Sequence, residues 1–390
     1  MIINWEKIRN EEFPSLKNSV HLKAAGGSPI CRSAYNFGIK YLKDIYEKGD
    51  LFWDDYYLQI KECKRLIASY FNVKPKEIAF LINTSSSMYI VSKILENASI
   101  IYPEDEFPSS IHIFKKSGFK SVPIKSENFT YPIENFKNNI TSTIKYIVHS
   151  HVQYLTGFRQ NISKLGNFSK NENLTTILNA TQSFGAFPID LKRNHIDIAV
   201  ASGLKWMCCG YGIGILYINE ELLENDNLPI SSWLSVSDPY KMNNDNMNVL
   251  KKTSSFDGFG GTPNFPGIIN LLGGLSLIER IGNGVINNGI NLISQRIIEL
   301  TDIFLEKIDP LNFKIITPLE KEYRSGIITI EHKKAEIIFK ELLKQSIYIS
   351  LRNYPNSSKK TLLRFSFHYY NNPEDVEKTI QVLKRFNENE

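Results

Sequence analysis

The chain has 390 residues, of which 42% are hydrophobic and 22% charged, as in a soluble globular protein long enough for two domains. Its formal charge of +5 is the difference between 46 basic and 41 acidic residues scattered along the sequence, which argues against a nucleic-acid partner. No segment reaches the roughly 18 consecutive apolar residues of a membrane span, and no basic stretch followed by an apolar one opens the chain. We therefore expect a cytoplasmic protein without a membrane or nucleic-acid partner.

The four cysteines predict neither a disulfide framework nor a metal site. Cys31, Cys63, Cys208 and Cys209 are too few and too irregularly spaced for either. Successive side chains of an extended strand face opposite ways, so the adjacent pair cannot enter one pocket from such a strand. We expect reduced thiols that serve packing, and no metal.

In chain order, the first long pattern is a helix over residues 51–73, where apolar residues recur at helical spacing. Five strand-to-turn segments follow, at 77–87, 98–110, 144–157, 174–187 and 196–206. Strands that alternate with helical stretches predict an α/β layer structure in which the turns after the strands gather along one edge. Ligands of open α/β sheets bind at that edge.

The pattern changes after residues 256–264. The apolar run at 266–282 predicts a helix that links two lobes, and residues 326–333 and 362–370 predict strands. A final helix is expected over 372–386, with Asn372 as its N-cap. We therefore predict a large domain over residues 1–260 and a smaller C-terminal domain, with the linking helix, over residues 261–390.

A single lysine, Lys205, stands in the stretch "ASGLKWMCCGYGIGILYI" (201–218). Most lysines are solvated surface residues. Here, however, the six residues on either side carry no charge, and Gly210, Gly212 and Gly214 allow backbone to approach backbone or a ligand. Lys205 is therefore a candidate for a lowered pKa and Schiff-base chemistry, although this stretch alone leaves the surface interpretation open.

The other strand-to-turn junctions carry side chains that suit a phosphorylated aromatic aldehyde. Thr84 and Ser85 offer hydroxyls for a phosphate, Phe107 offers a face for stacking, and Asn179 and Gln182 offer amides for ring substituents. Taken singly, such residues are more often helix caps, core residues or partners of local backbone. Their ordered succession, with the lysine last, favours a cofactor site.

Five stretches together carry a resemblance to a known family: "HLKAAGGSP" (21–29), "NATQSFGAFPIDL" (179–191), "DIAVASGLKW" (197–206), "GGTPN" (260–264) and "LLRFSFHYYNNPEDV" (362–376). The chain resembles the class V aminotransferases, which are pyridoxal-5'-phosphate (PLP) enzymes that include cysteine desulfurases, selenocysteine lyases, isopenicillin N epimerase and kynureninase. The resemblance implies the fold-type I PLP-dependent transferase architecture: a large domain with a mostly parallel central sheet flanked by helices, and a small α+β C-terminal domain. It also implies an amino acid substrate and a homodimer with shared active sites.

Site residues follow from the same resemblance. Lys205 is expected to bind PLP as a Schiff base and to move the proton of the substrate Cα. The remaining cofactor contacts are expected from Thr84, Ser85, Ser202, Phe107, Asn179 and Gln182, and from Thr262 of the partner subunit in the dimer. Substrate contacts are expected from Arg364, which binds the α-carboxylate, and from Gly26, His151 and Arg352.

Three departures from the family pattern bear on the reaction. Asn179 stands where the family usually has an aspartate that keeps the pyridine nitrogen protonated, and Leu204 replaces the histidine before the lysine. No cysteine lies between residues 346 and 364, where desulfurases carry their persulfide nucleophile. We expect a lyase that eliminates or replaces a group and not a persulfide-forming desulfurase. An aminotransferase, an epimerase and a non-catalytic homologue that binds PLP or a partner stay open as alternatives.

Overall fold

The computed structural model describes residues 3–224, 228–355 and 357–386. Within these residues, a seven-stranded sheet has the order β2-β8-β7-β6-β5-β3-β4, a four-stranded sheet the order β12-β13-β10-β9, and β1 pairs with β11. The strands are β1 (Val20–His21), β2 (Ile78–Leu81), β3 (Ser99–Pro103), β4 (Lys120–Ile124), β5 (Ile144–Ser150), β6 (Thr175–Asn179), β7 (Ile198–Ser202), β8 (Gly214–Ile218), β9 (Lys314–Ile315), β10 (Ile327–Glu331), β11 (Ile347–Tyr348), β12 (Ser350–Arg352) and β13 (Leu362–Ser366).

Helices cover both faces of the large sheet and one end of the small one. They are α1 (Trp5–Glu12), α2 (Arg32–Lys48), α3 (Trp53–Phe71), α4 (Thr84–Ile94), α5 (Pro108–Lys116), α6 (Ile133–Lys137), α7 (Ile162–Asn171), α8 (Phe265–Ile281), α9 (Ile286–Ile308), α10 (Ala335–Lys344) and α11 (Pro373–Leu383).

The large sheet is mostly parallel and buried on both faces. Its strands pair in parallel from β4 to β7, whereas β8 runs antiparallel to both β7 and β2. Successive residues of a strand enter opposite cores, as Ile147 and Val148 of β5 do. This arrangement gathers the carboxyl ends of β2, β3, β5, β6 and β7 along one edge. The predicted fold class is confirmed.

The predicted elements are present in the structure. The helix expected over 51–73 is α3, the five strand-to-turn segments contain β2, β3, β5, β6 and β7, and the two later strands are β10 and β13. The last helix begins as predicted, because the Asn372 side chain accepts the N–H of Asp375 at 3.0 Å in a capping box.

The helix that links the two lobes is not the one predicted. The predicted segment forms α8, most of whose residues are buried in the core beneath the large sheet, and it packs against α2 and α3. Close packing there requires Gly273, since a Cβ on it would lie 2.6 Å from the Ala34 Cα. The link is α9, whose residues up to Ile297 belong to the large core and whose residues from Leu300 belong to the core of the small sheet.

The small four-stranded sheet comes entirely from the last part of the chain, between residues 314 and 366. The division at residue 260 stays a prediction. All four cysteines are buried free thiols, in keeping with packing. None of the helices in the described residues is long and apolar enough to cross a membrane.

Candidate active site

A cavity of about 450 Å³ opens between the carboxyl edge of the large sheet and the small sheet. It brings together ten of the twelve residues that the sequence predicts for the site. They are Gly26, Thr84, Ser85, Phe107, Asn179, Gln182, Ser202, Lys205, Arg352 and Arg364.

Lys205 lies in the turn that follows β7 and is nearly enclosed by protein. Burial, followed by the positive charges of Arg364 and Arg352, lowers the pKa of Lys205 from its ordinary value of 10.5 to about 7. Its Nζ lies 5.6 Å from the centroid of the Phe107 ring. A neutral amine is the form that attacks an aldehyde, so these surroundings prepare Lys205 for Schiff-base formation near neutral pH.

One wall of the cavity is the amino end of α4. Thr84 and Ser85 are the first two residues of this helix, and the Asn83 side chain caps it by accepting the N–H of Ser86 at 2.9 Å. Unpaired N–H groups and the helix dipole at such an end favour an anion. Gly214 of β8 allows this close approach, because a Cβ there would lie 2.5 Å from the Asn83 carbonyl carbon.

Asn179 closes β6 and holds its amide in a fixed orientation. Its Oδ1 accepts the backbone N–H of Thr181 at 3.0 Å, and its Nδ2 donates to the Oγ of Ser110 at 2.8 Å. The amide thus retains one N–H for the cavity and brings no negative charge to it. Its turn-forming bond to Thr181 is also the role that an asparagine plays when it only shapes local backbone.

Gln182 is held on the same side of the cavity. Its Nε2 donates to the Ala25 carbonyl at 3.0 Å, and its Oε1 accepts the indole N–H of Trp206 at 3.0 Å. Trp206, the residue after the lysine, is fully buried and stacks on His368 at a centroid distance of 5.3 Å. These contacts fix the backbone on the C-terminal side of Lys205.

Two arginines come from the small sheet. Arg364 of β13 is buried and donates from Nη1 to the Tyr154 carbonyl at 2.6 Å and from Nη2 to Ser350 Oγ at 3.3 Å, while its Nε has no partner among the described residues. Burial and the nearby Arg352 lower the pKa of Arg364 to about 9. Burial likewise lowers the pKa of Arg352.

Sequence reasoning missed Glu106, which precedes the predicted stacking residue. Its buried carboxylate accepts the N–H of Phe107 at 2.8 Å, the N–H of Ser150 at 2.7 Å and the Nε2 of Gln153 at 3.1 Å. It therefore ties the loop after β3 to the end of β5. Burial raises the pKa of this carboxyl, and the donated hydrogen bonds oppose that rise.

Eight further residues line the cavity: Ala25, Asn83, Ser109, Ser150, Tyr154, Thr181, Leu204 and Tyr211. The Tyr154 ring packs edge-on against Phe107 at a centroid distance of 5.2 Å. The strand-end position of Ser150, Tyr154 and Thr181 is the signal that points to them, because the fold gathers strand ends at this edge.

The cavity does not include His151 or Thr262. The His151 side chain is buried beside the strand ends, its pKa is lowered to about 3 by burial and then by Arg159, and its Nδ1 has no partner among the described residues. Its contact with the substrate stays a prediction. Thr262 is exposed, and a contact across a dimer stays a prediction.

The residues present fit PLP. The N-terminal end of α4, with the hydroxyls of Thr84 and Ser85, suits the phosphate of PLP, and Phe107 suits the pyridine ring. The amine of Lys205, with its lowered pKa, suits the aldehyde. Among the described residues, no aspartate or glutamate lines the cavity, so no carboxylate there would repel the phosphate of PLP.

The sequence model of the family described as Aminotransferase class-V matches residues 21–379. The chain belongs to this family. As a class V aminotransferase-family protein it is an enzyme of a PLP-dependent family, so the predictions of enzyme class and of PLP as cofactor are confirmed.

Relatives and solved structures agree with this assignment. A protein of Pyrococcus abyssi named "Probable cysteine desulfurase" is 26% identical over 83% of this chain and 82% of its own length. The apo cysteine desulfurase of Thermococcus onnurineus has the same fold, with a TM-score of 0.87 at 22% identity over 100% of this chain and 99% of its own. The cystine C–S lyase C-DES, solved with its product cysteine persulfide, has a TM-score of 0.85 at 19% identity over 96% and 99%.

These relatives give no support to the expectation that the chain is not a desulfurase. The name of the Pyrococcus abyssi protein points the other way. The expectation of a lyase agrees with these relatives at the level of the PLP-dependent family alone.

Proposed function

We propose that this chain is a PLP-dependent lyase that removes a leaving group from Cβ of an amino acid. The observation that carries the proposal is the amide of Asn179, held by Ser110 and Thr181, at the position where the family usually has an aspartate. When bound, PLP supplies an electron sink for a carbanion at Cα. An amide leaves that sink shallow, which favours a reaction in which a departing group takes the electrons quickly.

The chain's own residues supply the remaining functions. Arg364 binds the α-carboxylate through its planar guanidinium. Lys205 takes the Cα proton, which its lowered pKa suits it to do near neutral pH. The leaving group then departs from Cβ with the bonding electron pair, and water releases a 2-oxo acid and ammonia.

Cofactor contacts follow the walls of the cavity. Thr84, Ser85 and Ser202 would hold the phosphate, and Phe107 would stack on the ring, with Glu106 fixing the loop that carries it. Gln182 would direct its remaining amide N–H to the phenolic oxygen of the ring.

A homodimer is part of the proposal. Four apolar residues at helical spacing on α2, namely Tyr35, Ile39, Leu42 and Tyr46, are exposed in the single chain. A stripe of this kind supports a second copy packing on α2. Thr262 is exposed as well, as a residue that reaches the neighbouring active site would be before assembly.

A second candidate is a cysteine desulfurase, favoured by the name of the Pyrococcus abyssi relative. Against it stands the placement of the thiols: Cys31, Cys63, Cys208 and Cys209 are all buried, and none lines the cavity. A persulfide on the enzyme requires an accessible thiolate.

The experiment that separates the candidates uses the purified PLP-loaded protein with L-cysteine, L-cystine and other amino acids that carry a leaving group at Cβ. The lyase proposal expects a 2-oxo acid and ammonia in equal amounts and no sulfur on the protein by mass spectrometry. A persulfide on a cysteine, with alanine as product, would instead identify a desulfurase. A product amine that requires an added 2-oxo acid would identify an aminotransferase.

A further inference from the structure

Positive charge accumulates in the cavity without a balancing carboxylate. Lys205, Arg352 and Arg364 all line it, and among the described residues no aspartate or glutamate does. Among the described residues, the two arginines donate hydrogen bonds to neutral groups, which are the Leu351 and Tyr154 carbonyls and the Ser350 hydroxyl. Arg364 is buried and the other two are partly buried, so the three like charges repel one another and an anion that enters the cavity would stabilise them.

The register of the small sheet explains why the two arginines stand together. Ser350 of β12 pairs with Arg364 of β13, and Arg352 pairs with Leu362. Residues two apart on a strand share a face, so Arg352 lies on the same face as Ser350 and hence as Arg364. Diagonal neighbours of this kind are separated by about 7–8 Å, within reach of long side chains. The pair is a feature of the sheet and presents two guanidinium groups to one cavity.

The anions of the proposed reaction can be assigned to walls. The cofactor phosphate belongs to the amino end of α4, which carries Thr84 and Ser85 and comes from the large sheet. The substrate α-carboxylate belongs to Arg364, on the opposite wall. Of the three basic residues that line the cavity, Lys205 would be bound to the aldehyde and Arg364 to the α-carboxylate. Arg352 would then have no anionic partner.

We propose that the substrate carries a second anionic group, an oxyanion on its side chain, and that Arg352 binds it. This inference rests on the proposed function and narrows it to amino acids with a phosphate or sulfate ester at Cβ, since each of these oxyanions can also depart with the bonding electron pair. A guanidinium recognises each of these groups through paired hydrogen bonds. Tyr154, which lines the cavity and packs on Phe107, provides the uncharged surface beside it.

L-Aspartate and L-asparagine are the probes, because they have nearly the same shape and differ in one charge. Their dissociation constants for the PLP-loaded protein are measured by titration calorimetry and by the change in cofactor absorbance. We expect aspartate to bind about tenfold or more tightly than asparagine, the range of a charge-assisted hydrogen bond. Arg352→Gln should bring this ratio close to one, and Arg352→Lys should restore part of it.

Two further variants separate this role from simpler effects. Arg364→Gln should weaken both amino acids and keep their ratio, because it removes the partner of the α-carboxylate that they share. Arg193→Gln, which changes the charge of an exposed arginine away from the cavity, should alter neither constant. Thermal melting of each variant checks its fold.

Equal affinity for aspartate and asparagine in the parent protein would overturn the inference, as would a ratio that Arg352→Gln leaves unchanged. Binding of neither amino acid to protein that carries PLP on Lys205 would overturn the amino acid substrate itself, and the inference with it. These outcomes are distinct from one another in the same titration.

Discussion

The side chain of Asn179 donates a hydrogen bond from Nδ2 to the Oγ of Ser110 at 2.8 Å, across the gap between β6 and α5. Both residues are buried, and the other end of the amide is occupied by the N–H of Thr181. The amide is therefore held in one orientation and carries no charge, at the position where we propose that it faces the pyridine nitrogen of the cofactor.

Asn179→Asp should change the reaction that the enzyme performs. A carboxylate beside the pyridine nitrogen raises the pKa of that nitrogen by roughly one to three units and prolongs the life of a delocalised substrate carbanion. We expect a long-wavelength absorbance band with substrate and slow transamination as a side reaction. Asn161→Asp, at the exposed N-cap of α7, is the matched control and should show neither change. An Asn179→Asp protein with an unaltered spectrum and unaltered products would mean that Asn179 only shapes the turn to Thr181.

The lowered pKa of Lys205 predicts how reconstitution with PLP depends on pH. A lysine with a pKa of about 7 is deprotonated, and so nucleophilic, in an increasing fraction of molecules as the pH rises through 7. The rate at which PLP-free protein binds PLP should therefore reach half its maximum near pH 7, far below the ordinary lysine value of 10.5. Stopped-flow absorbance measures this rate.

Arg352→Gln tests the cause of that shift. It removes one of the positive charges that lower the pKa of Lys205, so the midpoint should move to higher pH. If the pH midpoint of PLP binding does not move, burial and Arg364 alone lower the pKa of Lys205.

Gly214→Ala should weaken cofactor binding through the backbone. Its Cβ would lie 2.5 Å from the Asn83 carbonyl carbon, so the amino end of α4 must move away from the phosphate position. We expect a stability loss of about 1–3 kcal/mol and PLP binding weakened by on the order of tenfold. The neighbouring Ile215→Val is the control, since it costs about 0.5–1.5 kcal/mol and leaves the backbone path intact. Equal PLP affinities for the two variants would argue against α4 as the phosphate site.

The proposed homodimer with shared active sites predicts complementation between two inactive variants. Lys205→Ala removes the Schiff-base lysine, and Thr262→Trp places a bulky ring where the neighbouring phosphate is expected. A mixed dimer has one site with its own Lys205 and the partner's Thr262 both intact, so mixing should restore part of the activity. A monomer by light scattering would contradict the proposed dimer. A mixture without activity would contradict the proposal that the partner's Thr262 completes the active site.

Most of the site could be predicted from the sequence because its residues lie at the ends of strands or just after them. Thr84, Phe107, Asn179 and Lys205 each follow a short apolar strand, and parallel strands bring their ends to one edge whatever the exact bounds of the helices. The linking helix was misassigned because α8 is a long, mostly apolar run that resembles a buried connection, whereas α9 runs between two cores that only the tertiary structure defines. Glu106 was missed as a positioning residue because its hydrogen bonds to Ser150 and Gln153 join segments far apart in the chain.

The most direct measurement of the central claim is to treat the PLP-loaded protein with borohydride, digest it, and identify the modified peptide by mass spectrometry. We expect a reduced PLP adduct on Lys205, within the peptide that contains "SGLKW", and its loss in Lys205→Ala with an unchanged melting temperature. An adduct on another lysine, or no adduct on protein that retains PLP, would contradict it.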